Sequence, residues 1–444
     1  METAITKEML DSFHEQFMAS KTNLVAMNAV TANGVKACAS RWTAQKDAVH
    51  EYSIRLDNKG ITSQKSSGRC WMFAALNCLR YQVIHKLNLE NFELSQSYTC
   101  FYDKLEKSNY FLENILNTLD EPTEGRLISY LLSDLISDGG QWDMISSIIQ
   151  KYGVVPKTAY PESYSSSNTG EMNAAIITKL REFACTLRTM AKEGKSMEEL
   201  RAEKVSMMSI IYRMLCICMG TPPTTFDFEI RDKDNNFIGD YGLTPKAFYD
   251  KYVGLDLNEY VSVINAPTQD KPYMRSYTVK CLGNVVGGIP VRYVNLPIEE
   301  LKKAAIAQMK DGEPVWFGCD VGKSSHRTNG SMDLNTYDME SLFGTDFPMT
   351  KAQQLDYNHS RMTHAMVFQG VDLMADGTPV RWCVENSWGE DAGHKGMYLM
   401  TDEWFNEYMY QIVVQKKYLS KEVLDAYYSE PIELEPWDPM GSLA

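Results

Sequence analysis

Nucleophilic catalysis by a side chain needs an attacking atom, a base that takes its proton, and a third group that holds the base in its working tautomer and orientation. Cys70, His364 and Asn386 supply those three types here. Cys70 lies in KSSGRCWMFAALN, residues 65–77, His364 in RMTHAMVF and Asn386 in ENSWG. Gln64, in the loop before the cysteine, carries an amide able to donate to an oxyanion, and the backbone N–H of Cys70 is the natural second donor. Taken singly, each residue has a plain alternative: a buried apolar thiol, a hydrogen-bonded core imidazole, a solvated loop amide.

Such chemistry depends on the elements that carry these groups. Met72, Leu76, Leu79 and Val83 recur at helical spacing and predict a helix over 70–87, with Ser66 or Ser67 available to cap it. A thiol at a helix start meets unpaired N–H groups and the positive end of the macrodipole, which favour the thiolate. THAMVFQGVDL and VRWCVENSWG are apolar runs joined by MADGTP, with Asp376-Gly377 as the turn. They predict a hairpin that sets Asn386 on the strand facing His364.

Elsewhere, HEYSIRLDNKGITSQ reads as extended chain entering a loop, and residues 92–137 as a polar-faced helical stretch broken at Gly139 and Gly140. A short helix then stops at Gly153 and Pro156. Residues 173–219 are charged, Met-rich and helical, and TPPTTFDFEI marks the passage to more β character. A helix over 296–312 precedes a buried strand in EPVWFGCDVG, and GMYLMTDEWF reads as a further strand.

Composition narrows the class. The chain has 444 residues, 44% hydrophobic and 23% charged, as ordinary folded proteins do. Lys and Arg number 44 against 58 Asp and Glu, a net charge of -14 that repels phosphate backbones and anionic membranes. Nucleic acid and membrane are therefore not expected partners. The N-terminus lacks the basic and apolar regions of a secretory signal, and no apolar run reaches the roughly 18 residues of a membrane span. A soluble, cytoplasmic protein is expected. Its ten cysteines are scattered, as reduced buried thiols would be. Cys216 and Cys218 form a C-x-C pair with no second pair or histidine nearby, so neither a metal nor a cofactor is expected.

In the order Gln64, Cys70-Trp71, His364-Ala365, Asn386-Ser387-Trp388-Gly389, the chain resembles the papain-like cysteine peptidases. FELSQS, DGGQWDMISSIIQKYGVVPKTAYP and LKKAAIAQMKDGEPVWFGCDVG resemble further segments of that family. GRCWMFAALN, YGVVPKTAYPES, the terminal PWDPMGSLA and the long separation of Cys70 from His364 narrow the likeness to the bleomycin hydrolase and aminopeptidase C family.

The resemblance implies an α+β fold, a papain-like two-lobed core of helical and β-barrel-like lobes with large, mainly helical insertions. It divides the chain into a helical lobe over 1–160 carrying Gln64 and Cys70, an inserted assembly region over 161–295, a β-rich lobe over 296–430 carrying His364 and Asn386, and an arm over 431–444. It further implies cysteine aminopeptidase activity, with Cys70, His364 and Asn386 catalytic, Gln64 and Cys70 forming the oxyanion hole, and Trp388 shielding the Asn386–His364 bond. Gly139 and Gly140 would bind substrate, and the carboxylate of Ala444 would meet its free amino group. Peptides with free N-termini and self-association as a homohexamer follow from the same likeness. Two other readings remain: an amidase or acyltransferase on the same fold acting on non-peptide amides, and a non-catalytic scaffold or nucleic-acid binder. The four occupied catalytic positions and the charge of -14 argue against the second.

Overall fold

The segment around the cysteine forms the helix Cys70–Lys86, buried on almost every side from Cys70 and Trp71 to Val83 and Ile84. A helix apolar all round belongs inside a lobe. In this computed structural model, which describes residues 4–46, 48–56 and 60–442, it is the axis of the helical lobe. Around it pack the helices Gln96–Asn117 and Trp142–Tyr152. Neither Ser66 nor Ser67 caps the helix, contrary to the sequence expectation. Arg69 stands at the N-cap position without a side-chain bond, because Ser67 Oγ is engaged with the carbonyl of Gln64 and the guanidinium of Arg69.

The helix Gln96–Asn117 is polar-faced as expected, but that face is partly buried, including Asp103, Lys104 and Lys107. Buried ammonium groups need acceptors. Lys104 donates to the carbonyl of Ile136 and pairs with Asp138, and Lys107 donates to the carbonyls of Ser137 and Gly139 while pairing with Asp103. The strip 136–139 beside Cys70 is thus held by lysines. A second helical expanse, Gly170–Lys192 and Met197–Met219, lies against the same helix, the latter opened by a Ser196–Glu199 capping box.

The β-rich part is one sheet whose order runs Ile432–Leu434, Arg275–Val279, Tyr293–Asn295, Tyr260–Ile264, Met409–Gln415, Val315–Cys319, His364–Leu373, Pro379–Glu385, Met397–Thr401, Ser331–Met332, Ser325–His326. The strand Ile54–Arg55 also pairs with His364–Leu373, and three of the sheet's strands lie between 260 and 295, within the stretch that the sequence reading set apart for assembly. Side chains alternate between its faces. Trp316, Ala365 and Val367 belong to the core of the Cys70 helix, whereas Val315, Phe317, Met366 and Phe368 pack in the core of the helix Ile298–Lys310.

The expected hairpin forms between His364–Leu373 and Pro379–Glu385, with Val367 opposite Glu385. The strand in GMYLMTDEWF ends at Thr401, and Asp402–Tyr408 is a helix instead. Thr401 caps it by accepting from the N–H of Trp404, and Asp402 and Glu403 favour its positive end. A two-stranded hairpin, Phe226–Arg231 with Phe237–Leu243, stands apart from the main sheet. No helix among the described residues is long and apolar enough to cross a membrane.

Candidate active site

His364 is the first residue of its strand, and Asn386 directly follows the last residue of the partner strand. The hairpin register brings Nε2 of His364 to 2.9 Å from Oδ1 of Asn386. Asn386 is fully buried, and its Oδ1 also accepts from the N–H of Ser387 at 2.7 Å, which fixes the amide with oxygen toward the imidazole. An amide oxygen only accepts, so Nε2 carries the hydrogen and Nδ1 is left as the basic nitrogen. The Trp388 ring lies 4.9 Å from the His364 ring, between centroids, tilted 32° to it.

The two halves are joined by backbone. Gln64 N–H donates to the carbonyl of Ser387 at 2.8 Å, and Gly389 N–H to that of Thr62 at 3.1 Å. Ser387 Oγ donates to Oε1 of Gln64 at 2.6 Å, while Nε2 of Gln64 donates to the carbonyl of Ser67 at 2.5 Å. One hydrogen of that amide nitrogen remains for another acceptor. Behind the site, the buried pair Arg80–Glu385, 2.6 Å apart, links the Cys70 helix to the residue before Asn386.

Gln64, Cys70, Asp138, Gly139 and His364 line one cavity of about 630 Å³. Gly140 does not line it. It packs on Trp71, where an added Cβ would fall 2.5 Å from the indole, so its lack of a side chain lets the strip 138–140 lie flat on the Cys70 helix. The indole N–H of Trp71 donates to the carbonyl of Asp138 at 2.6 Å.

Burial works against charge on either reacting group. It pushes the Cys70 thiol up to about 11, against the N–H groups of Ala365, Trp71 and Cys70 itself, and Asp138 adds to the rise. Burial thus works against the stabilisation that the helix start offers a thiolate at Cys70. Burial likewise takes His364 down to about 4 against its bond with Asn386. Burial disfavours either charge alone. Transfer of a proton from sulfur to imidazole creates both together, each neutralising the other.

The C-terminal arm enters the same cavity, which Gly441 and Ser442 also line. Ser442 Oγ donates to the carbonyl of Met362 at 2.6 Å, and Gln141 Nε2 donates to the carbonyl of Ser442 at 2.8 Å. Further back, Asp438 pairs with Lys271 at 2.9 Å, and Arg126 stacks 3.8 Å above the Trp437 ring. Ala444 lies outside the described residues. Asp138 and Gln141 lie in DGGQWDMISSIIQKYGVVPKTAYP, Ser387 in ENSWG and Ser442 in the terminal PWDPMGSLA, but the sequence assigned no individual role to Asp138, Gln141, Arg80 or Ser387.

The Peptidase C1-like family model matches residues 4–441. The chain is 48% identical to aminopeptidase C of Listeria monocytogenes, with all of both chains covered. It is 46% identical to human bleomycin hydrolase over 92% of this chain and 91% of that one. The crystal structure of PepW from Lactobacillus rhamnosis superposes with a TM-score of 0.98 at 50% identity, covering 100% of both chains. Agreement along the whole length, in sequence and in backbone, leaves no segment to a different fold, and the chain belongs to the Peptidase C1-like family of papain-like cysteine peptidases.

Proposed function

We propose that this chain is a cysteine aminopeptidase that releases N-terminal amino acids from peptides through a thioester, with Cys70 as nucleophile, His364 as base and Asn386 as its orienter. The proton of Cys70 Sγ passes to Nδ1 of His364, and the sulfur attacks the carbonyl of the first residue. Gln64 Nε2 and the Cys70 N–H hold the oxyanion. His364 then protonates the leaving amine, and a water that it activates cleaves the thioester. Gly139 offers backbone to the substrate, and Trp388 keeps water from the Asn386–His364 bond.

The observation that carries this reading is the sharing of one cavity by Cys70, His364 and the arm residues Gly441 and Ser442. An arm lying there leaves room for little of a peptide ahead of the scissile bond. A carboxylate at Ala444 would select an N-terminal ammonium by a charge-assisted contact. The relatives named aminopeptidase C support the same activity. The test is alkylation of the native protein followed by peptide mapping, with hydrolysis of an aminoacyl amide measured in parallel. Activity lost in step with labelling of Cys70 alone is expected. Retained activity after Cys70 is labelled would refute the assignment.

Hydrolysis of non-peptide amides by the same residues is a second reading, supported by the likeness to the human protein named bleomycin hydrolase. Rates on a panel of unblocked aminoacyl amides and peptides separate the two. A cytoplasmic homohexamer, with 161–295 serving assembly, completes the proposal. The helices Lys7–Ala19 and Lys21–Asn33 bury no residue within the chain and leave Leu10, Phe13 and Val25 exposed, which suits a contact between copies. A solution mass of six chains by light scattering is the expected result.

A further inference from the structure

The loop from Gln64 to Cys70 is held from outside the cleft by a short segment at the start of the inserted helical region. Ser66 N–H donates to the carbonyl of Ser167 at 3.0 Å. Gly68 N–H donates to Asp138 at 2.9 Å, and that carboxylate also accepts from Thr169 Oγ1 and, at 2.8 Å, from Nδ2 of Asn173. Gly68 has no room for a side chain there, since a Cβ would lie 2.9 Å from that of Asp138. Arg69 is buried and meets Glu162 through two parallel bonds of 3.0 and 2.9 Å. Glu162 is itself set by Ser166 Oγ at 2.6 Å.

These contacts extend to the oxyanion donor. Arg69 Nε donates to Ser67 Oγ at 2.9 Å, Ser67 Oγ donates to the carbonyl of Gln64 at 2.6 Å, and the Gln64 amide returns a bond to the Ser67 carbonyl. An unbroken series of bonds therefore runs from Glu162 through Arg69 and Ser67 to Gln64. A bidentate carboxylate–guanidinium pair fixes direction as well as distance. Its members touch neither Cys70 Sγ nor His364 by any hydrogen bond, so their effect falls on the geometry of the loop.

We infer that Glu162 is a positioning residue for the oxyanion hole, acting through Arg69 and Ser67 on Gln64, and that the segment 162–173 belongs to the catalytic scaffold. The inference rests on the reading of Gln64 as an oxyanion donor. Displacement of the loop by tenths of an ångström removes stabilisation of the transition state without altering the nucleophile.

The test compares two reactions of one thiol. Hydrolysis of an aminoacyl amide develops an oxyanion, whereas alkylation of Cys70 by iodoacetamide does not need that hole. In Glu162→Gln, kcat on the amide is expected to fall about tenfold or more, within the range set by loss of a whole donor, with KM and the alkylation rate within twofold of the parent. Because a single substitution strands a buried guanidinium, the double variant Arg69→Met with Glu162→Met is measured alongside. It should retain the parent's circular dichroism and show the same selective loss of kcat. Parallel loss of hydrolysis and alkylation in both variants, a loss confined to KM, or unchanged kcat overturns the inference. Gln64→Ala is the reference: if its kcat is normal, the oxyanion reading falls and this inference with it. If Gln64→Ala is slow while both Glu162 variants are normal, only the positioning role falls.

Discussion

Gln141 holds Ser442 across the mouth of the cleft, its Nε2 donating to the Ser442 carbonyl at 2.8 Å, while the Ser442 hydroxyl donates to the opposite wall at Met362. Ser442 is thereby pinned between the lobes that carry Cys70 and His364. Removal of residues 439–444 should open the non-primed side and turn the enzyme toward internal cleavage. N-acetylated peptides, poor substrates for the full chain, should then be cut. Gln141→Ala breaks one neutral hydrogen bond worth about 1 kcal/mol, so its effect in the same direction should be only a few-fold. An unchanged ratio of blocked to unblocked cleavage after truncation would refute the role of the arm.

Gln64 is held by its oxygen to Ser387 and presents its nitrogen toward the loop carbonyl of Ser67. Gln64→Ala should lower kcat on the order of a hundredfold, as loss of one donor does in other oxyanion holes. Steady-state kinetics on an aminoacyl amide measure it, and near-normal kcat would remove Gln64 from the mechanism.

Each partner of the Cys70–His364 pair should reveal its burial once the other is removed. With Cys70→Ala, the imidazole loses the sulfur as a proton source and should titrate near 4, followed by NMR of its ring protons. It then stays neutral at pH 7, because desolvation disfavours its cation. With His364→Ala, the Cys70 thiol should lose its proton only toward about 11, so iodoacetamide labelling at pH 7 should become very slow and rise with pH. Ordinary values for both groups would show that burial does not govern their titration.

Asp143, in the first turn of the helix Trp142–Tyr152, is buried, and burial raises its carboxyl to about 7 against the N–H of Arg292. A folded-state value above the unfolded one means that the native protein holds the extra proton. Stability should therefore fall as pH rises from about 4 to about 7, by roughly 1.4 kcal/mol for each unit of difference at most. Asp143→Asn should flatten that part of the profile and raise the melting temperature at pH 8 relative to the parent. Thermal unfolding between pH 4 and 8 decides it.

Local pattern was enough for much of the fold. Helical spacing of Met72, Leu76, Leu79 and Val83 corresponds to Cys70–Lys86, and the apolar runs about Asp376-Gly377 correspond to the hairpin. Periodicity reports which face of an element is buried, and turn residues report where the chain reverses. It failed at the cap, where Ser67 was claimed by Gln64 and Arg69, and at DEWF, where Thr401 starts a helix. In both places the outcome depended on which partner a hydroxyl found.

The kinds of chemistry present are legible along the chain: Gln64, Cys70, His364 and Asn386 stand in recognisable motifs, because catalysis constrains residue type and immediate neighbours. What supports them emerges only on folding. The roles of Asp138, Glu162, Arg80 and Gln141 are marked by nothing local, even where the residue stands inside a recognisable segment, since a buried charge or amide is distinguished by the partner it meets in space. The same holds for the reactivity of Cys70. A helix start is legible in one dimension, but the desolvation that opposes its thiolate comes from residues that folding brings around it.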